Sequence, residues 1–139
     1  PGMNYGWPVV GYGVNYTTGL AIQEGMHKYG FTPPAHVWVP SIGVSGMIFY
    51  AGDRFSGWKG NMLVGGMSGQ RLARLVLSGR RVVADEILIQ GMGRMRDVQQ
   101  GPDGSIYVMI DANVRGVDGE ATPVYRLAPV ERTSTSARR

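Results

Sequence analysis

Two segments of this chain carry one pattern, 44 positions apart. Asn61-Met62-Leu63-Val64 is followed by a Gly-rich turn and then Leu72-Ala73-Arg74-Leu75; Ser105-Ile106-Tyr107-Val108 is followed by a longer loop and then Val124-Tyr125-Arg126-Leu127. Each copy reads as strand, turn, strand, and each is preceded by a tight turn, over 55–60 in one case and 100–104 in the other. A repeat of ~40–50 residues built this way is the period of four-stranded propeller blades. A sandwich or barrel with similar hairpins is the other architecture the pattern allows. Two copies do not close a ring of at least ~4 blades, so the propeller reading makes the chain a fragment or a piece that needs partners.

The remaining pattern agrees with an all-β chain. The 22 Gly and 8 Pro among 139 residues argue for many turns and against a helical bundle. Strands are expected at 47–50, 61–65, 70–77, 81–89, 94–99, 105–110 and 124–127, where β-branched and aromatic residues cluster between turn formers. Asp85 and Glu86 interrupt the fourth. Gly-Pro-Asp-Gly at 101–104 is a turn by its residue types. Residues 11–34 sustain no period and read as an extended excursion, with one helical turn around Gln23 to His27; a connection this long points to a functional loop. Tyr5 and Trp7 are expected to anchor the first loop by packing. The polar 131–139 segment reads as a loose basic tail behind a folded 1–130 portion.

Composition closes several function classes. With no Cys there are no disulfides, thiolate metal sites or cysteine nucleophiles. The net charge of +4 is spread along the chain, and the tail supplies three Arg and one Glu of it. Without a run or stripe of Lys and Arg, no nucleic-acid footprint is expected. No apolar run approaches the ~18 residues of a membrane span. Residues 1–5 do not form a signal peptide, although they fit inside a longer precursor. Asp111, Asn113 and Gly116 open like an EF-type calcium loop, but Arg115 and Thr122 stand where acidic or amide ligands belong. Gly43-Val44-Ser45-Gly46-Met47 and Gly66-Met67-Ser68-Gly69-Gln70 each miss the last Gly of a nucleophile elbow. Gly91-Met92-Gly93 lacks the third Gly of a dinucleotide loop. His27 and His36 have no metal-ligand spacing. Asn15-Tyr16-Thr17 is a glycosylation sequon.

Arg94 and Arg96 stand apart from these. Strand alternation places both on one face, with Met95 and Asp97 opposite. Two guanidinium groups on one face make a planar clamp for carboxylates or phosphates. The same pair also suits ordinary ion pairs with Asp97, Asp103 or a neighbouring blade.

The motifs Asn4 to Pro8 (NYGWP), Trp38 to Leu75, Gly93 to Asp111 (GRMRDVQQGPDGSIYVMID) and Val124 to Pro129 (VYRLAP) together resemble the C-terminal part of the soluble glucose/sorbosone dehydrogenase family, in its bacterial aldose sugar dehydrogenase branch. The resemblance implies the last two to three blades of a six-bladed propeller that carries pyrroloquinoline quinone and calcium. It implies an aldose sugar as substrate, a small molecule or cytochrome as electron acceptor, and a periplasmic or secreted bacterial location. It points to Arg94 and Arg96 as the pair that embraces the quinone, to Met67 and Ser68 against its rings, and to the Ser41 hydroxyl on a cofactor carboxylate. In the glucose-oxidising branch a Lys stands where this chain has Ser68, and Gly43-Val44-Ser45 departs from the usual Ala-Pro-Ser. The family's catalytic His and most calcium ligands fall upstream of the matched region. The chain alone is therefore expected to carry no catalytic residue and no metal ligands of its own. A propeller that binds a carbohydrate or a protein without redox chemistry is the alternative, and open blade edges imply self-association.

Overall fold

The computed structural model describes residues 2–111 and 122–130. Among the described residues, seven strands form two antiparallel sheets. The first holds β1 (Val44–Phe49), β2 (Met62–Gly66), β3 (Arg71–Ser78) and β4 (Arg81–Gln90) in chain order; the second holds β5 (Arg94–Gln100), β6 (Ile106–Asp111) and β7 (Val124–Leu127). The two copies of the sequence repeat are β2–β3 and β6–β7, the second and third strands of each sheet, and both pair antiparallel as expected. The strand boundaries fall within a few residues of the sequence reading. The EF-like positions 113, 115 and 116, the loop they sit in, and the 131–139 tail lie outside the described residues.

Period-two patterning builds the core. Ile106, Val108 and Ile110 on β6 are buried, while Tyr107, Met109 and Asp111 alternate with them. Tyr50, Leu63, Leu72, Met95 and Val98 complete the cluster between the sheets, where β5 lies against β1 and β2. The Tyr50 hydroxyl donates to the Gly104 carbonyl at 2.8 Å and accepts the Phe55 N–H at 3.3 Å. Phe55 stacks on Trp58, and the Arg74 guanidinium sits 4.7 Å over the Trp58 ring. The acidic interruption of β4 is accommodated by partners: Arg74 pairs with Glu86, and Asp85 accepts from Trp38 Nε1 at 2.7 Å and meets His36 Nε2 at 3.2 Å. The other face of the four-stranded sheet is apolar and open. Trp38, Met47, Phe49, Met62, Val64 and Leu75 line a groove of about 460 Å³ there.

Two expectations for the N-terminal segment fail. Residues 23–27 are not helical; Val10 bridges Gly25 and Val14 bridges Ala21, so the excursion folds back as an open loop. Asn15 makes the reversal by accepting the N–H groups of Thr17 and Thr18, which competes with helix. Tyr5 and Trp7 do not anchor the loop. Both are exposed, Trp7 by 76%, and the segment is held by Asn4, whose Oδ1 accepts the Gly6 N–H and whose carbonyl accepts the Thr32 N–H.

The turn before β6 carries a charged clasp. Asp103 accepts from Arg126 at 2.9 Å and from the Ser105 N–H and hydroxyl at 3.0 and 2.8 Å, and Arg54 stands 3.5 Å away. The Arg126 hydrogen bond, then those of Ser105, hold its carboxyl well below the usual carboxylate range. A depressed folded-state pKa stabilises above the unfolded value and is lost as pH falls below it toward the folded one. Wild type is therefore expected to unfold at higher denaturant than Asp103→Asn at pH 7, with the gap closing below about pH 4. Urea midpoints of both proteins from pH 2.5 to 7 check this; identical midpoints at pH 7 would contradict it.

Candidate functional site

The arginines owe their direction to a β-bulge. From Gln100 to Asp97 the strands run in register, with Gln100 opposite Ile106 and Asp97 opposite Met109; the next pairs are Met95 with Ile110 and Arg94 with Asp111. One extra residue, Arg96, is inserted on β5. Strict alternation from buried Val98 would turn Arg96 and Arg94 into the core and Met95 out. The bulge reverses this, as such insertions re-aim side chains: Met95 is fully buried, and both arginines reach the surface. The expected placement of Asp97 opposite the pair is thereby corrected, because its partner Met109 lies on the arginines' side of β6.

Both guanidinium groups converge on one carboxylate. Arg96 Nη2 lies 2.7 Å and Arg94 Nη2 3.2 Å from Asp111 Oδ2, with Arg96 Nε at 3.3 Å. Among the described residues the shared ion-pair partner is Asp111, not Asp97 or Asp103. Asp97 instead accepts the Val98 N–H and the Gln99 amide, and Asp103 serves the clasp. Asp111 is the most enclosed of the three, with 17% of its side chain exposed against 35% for Arg94 and 41% for Arg96.

The remaining expected residues gather beside Arg96. Its Nη1 faces the Met67 sulfur at 3.3 Å, a weak acceptor. Met67 and Ser68 sit in the β2–β3 turn, which is laced to the 41–43 segment. The Met67 N–H donates to the Gly43 carbonyl, the Gly69 N–H to the Ile42 carbonyl, and the Ser68 hydroxyl to the Ser41 carbonyl at 3.0 Å. The Ser41 hydroxyl accepts the Gly43 N–H at 3.1 Å. So Ser41, Ser68, Met67, Arg96 and Arg94 form one connected group, joined through Asp111. Sequence reasoning missed Asp111, and also Ser45, whose hydroxyl donates to the Met95 carbonyl at 2.6 Å and ties β1 to the bulge.

Neither histidine belongs to this contact network. His27 meets Tyr12 edge-on, and His36 shares Asp85 with Trp38. Among the described residues, no three His, Cys, Asp or Glu side chains cluster as a metal site, and no helix is long and apolar enough to cross a membrane. The arrangement can hold a planar anion: two forked guanidinium groups, one against a weak partner, beside a turn lined with small polar groups.

Comparison with known proteins shows the family. The family described as glucose/sorbosone dehydrogenase matches residues 1–117. The aldose sugar dehydrogenase of Escherichia coli is 36% identical over 113 residues, which span 79% of this chain and 30% of that protein. A glucose dehydrogenase crystal structure superposes with a TM-score of 0.71 at 42% identity, covering 78% of this chain and 32% of the other. The PQQ-bound aldose sugar dehydrogenase of Streptomyces coelicolor gives a TM-score of 0.58 at 25% identity, over 91% of this chain and 32% of that one. The chain thus spans about a third of the length of the relatives it matches.

Proposed function

This chain belongs to the glucose/sorbosone dehydrogenase family, and from that premise we propose that it forms part of a quinone-dependent oxidoreductase that oxidises aldose sugars to lactones. The observation that carries the reading is the convergence of Arg94 and Arg96 beside the 67–68 turn. The donor set fits pyrroloquinoline quinone, a planar tricarboxylate: guanidinium forks suit its carboxylates, and the Met67 thioether suits the face of its rings. When bound, the quinone supplies the acceptor for the two electrons that leave the sugar as hydride. Arg94 and Arg96 hold its carboxylates, Ser68 and Met67 border the rings, and Ser41 offers its hydroxyl hydrogen. Calcium, for which the described residues hold no cluster of three His, Asp or Glu side chains, would act in the whole protein as a Lewis acid. No residue of this chain is assigned as the catalytic base.

The fold supports the same reading. The two sheets are taken as successive blades of a six-bladed propeller of which residues 1–130 are the C-terminal portion, and the apolar groove lined by Met47, Phe49 and Met62 suits a neighbouring blade. With that face open, the isolated chain is taken to self-associate. The acceptor is a small molecule or a cytochrome, and the location is periplasmic or secreted.

Titrating the metal-free and calcium-loaded apo form of the whole protein with the quinone tests the site. Arg96→Ala and Arg94→Ala are expected to weaken binding tenfold or more, as the loss of a charge-assisted bond of about 1.5–3 kcal/mol implies. Arg94→Lys is expected to weaken it too, because an ammonium cannot form the planar fork. Arg80→Ala, on the β3–β4 turn, leaves the affinity unchanged. Wild-type affinity in both alanine variants would remove the pair from the site.

A further inference from the structure

We propose that Asp111 is a positioning residue for anion binding, and that it works by holding the two guanidinium groups convergent. The inference rests on the assignment of Arg94 and Arg96 as the quinone anchor. Three observations carry it. Asp111 stands directly opposite Arg94 in the β5–β6 register, a placement that exists only because of the bulge at Arg96. Its Oδ2 is reached by both arginines, at 3.2 and 2.7 Å. It is more enclosed than either, at 17% exposure against 35% and 41% for the arginines.

Two guanidinium groups drawn to one oxygen repel each other unless a negative charge lies between them. Held by Asp111, they keep fixed directions, and the anion meets two guanidinium groups already drawn together. Without it they separate, and an incoming polycarboxylate has to order two long side chains, each rich in rotamers. This differs in sign from a simple charge effect. Removing a negative charge beside an anion site favours the anion by Coulomb's law alone. Loss of preorganisation disfavours it. The balance falls to preorganisation, because Arg94 and Arg96 are partly exposed, where solvent weakens the charge term, while the geometry of a bidentate fork is strict.

The test uses apo whole protein titrated with pyrroloquinoline quinone, followed by tryptophan fluorescence, with thermal midpoints recorded in parallel. Asp111→Asn keeps the shape and removes the charge; it is expected to weaken binding five- to tenfold. Asp111→Glu, which keeps the charge and displaces it by one methylene, is expected to fall between Asp111→Asn and wild type, and it stands in if the Asn variant fails to fold. In an Arg96→Ala background, Asp111→Asn is expected to cost less than twofold more, since the pair it aligns no longer exists. If Asp111→Asn binds as tightly as wild type or tighter while both arginine-to-alanine variants bind weakly, the positioning role is overturned and the anchor stands. If the arginine variants bind like wild type, both fall. Fully additive losses in the double variant would reduce Asp111 to a general structural residue and overturn the proposal.

Discussion

Tyr50→Ala is expected to destabilise the fold by about 3–5 kcal/mol, the cost of removing a fully buried aromatic side chain. Tyr50 is 1% exposed and lies in the cluster between the two sheets. Its ring meets Phe55 and Trp58 edge-on, at centroid separations of 5.7 and 6.4 Å. Its hydroxyl holds the Gly104 carbonyl and the Phe55 N–H, so it ties the 51–60 turn to the turn before β6. Tyr50→Phe separates the two contributions. It keeps the ring and orphans both backbone groups, which costs about 1–3 kcal/mol. Urea unfolding of the whole protein measures both. A loss below about 1 kcal/mol for Tyr50→Ala would mean that the cluster collapses around the gap and that the sheets are held together elsewhere.

Gly46→Ala is the second large effect, and it comes from adding one methyl group. A Cβ at position 46 would stand 2.8 Å from both the Asp97 Cα and the Val98 nitrogen. Those are backbone atoms, so no rotamer change relieves the clash. Position 46 falls where β1 itself shifts register against β2, between Val44 and Met47, so two irregular strands lie back to back at this point. The methyl group pushes β5 away from β1, breaks the Ser45 bond to the Met95 carbonyl and disturbs the bulge that aims the arginines. Overpacking of this kind costs about 1–3 kcal/mol, and quinone affinity is expected to fall with stability even though Gly46 is not among the residues proposed to hold the quinone. Wild-type affinity in a folded Gly46→Ala protein would show that the arginines are directed independently of β1.

Much of this architecture was legible because its signals are local. The Gly turns at 66–69 and 101–104 bracket apolar runs, and the last strand, Val124–Leu127, falls where the sequence places it. The arginine pair was visible as two cations two residues apart in a strand. What escaped was their partner. In the sequence Asp111 stands at the end of the 93–111 motif and at the head of a failed calcium loop, and nothing in its neighbourhood announces a bulge fifteen residues earlier. In an unbulged ladder that continues the Gln100–Ile106 register, Asp111 would fall opposite Met95. The N-terminal errors have a different cause. Between 11 and 34 no apolar period exists, and the outcome was decided by single side-chain-to-backbone bonds such as those of Asn15, which compete with regular structure in ways that patterning does not register.

The passage from β4 to β5 takes only Gly91, Met92 and Gly93, with Gly93 at a φ of +122°. From Gln90 to Arg94 the backbone is at most about 14 Å long. This tether leaves the arginines almost no slack relative to the outer strand of the preceding sheet. A few residues spliced in at this junction would act as a clutch, disengaging the second sheet's alignment from the first while leaving the strand pairings within each sheet intact.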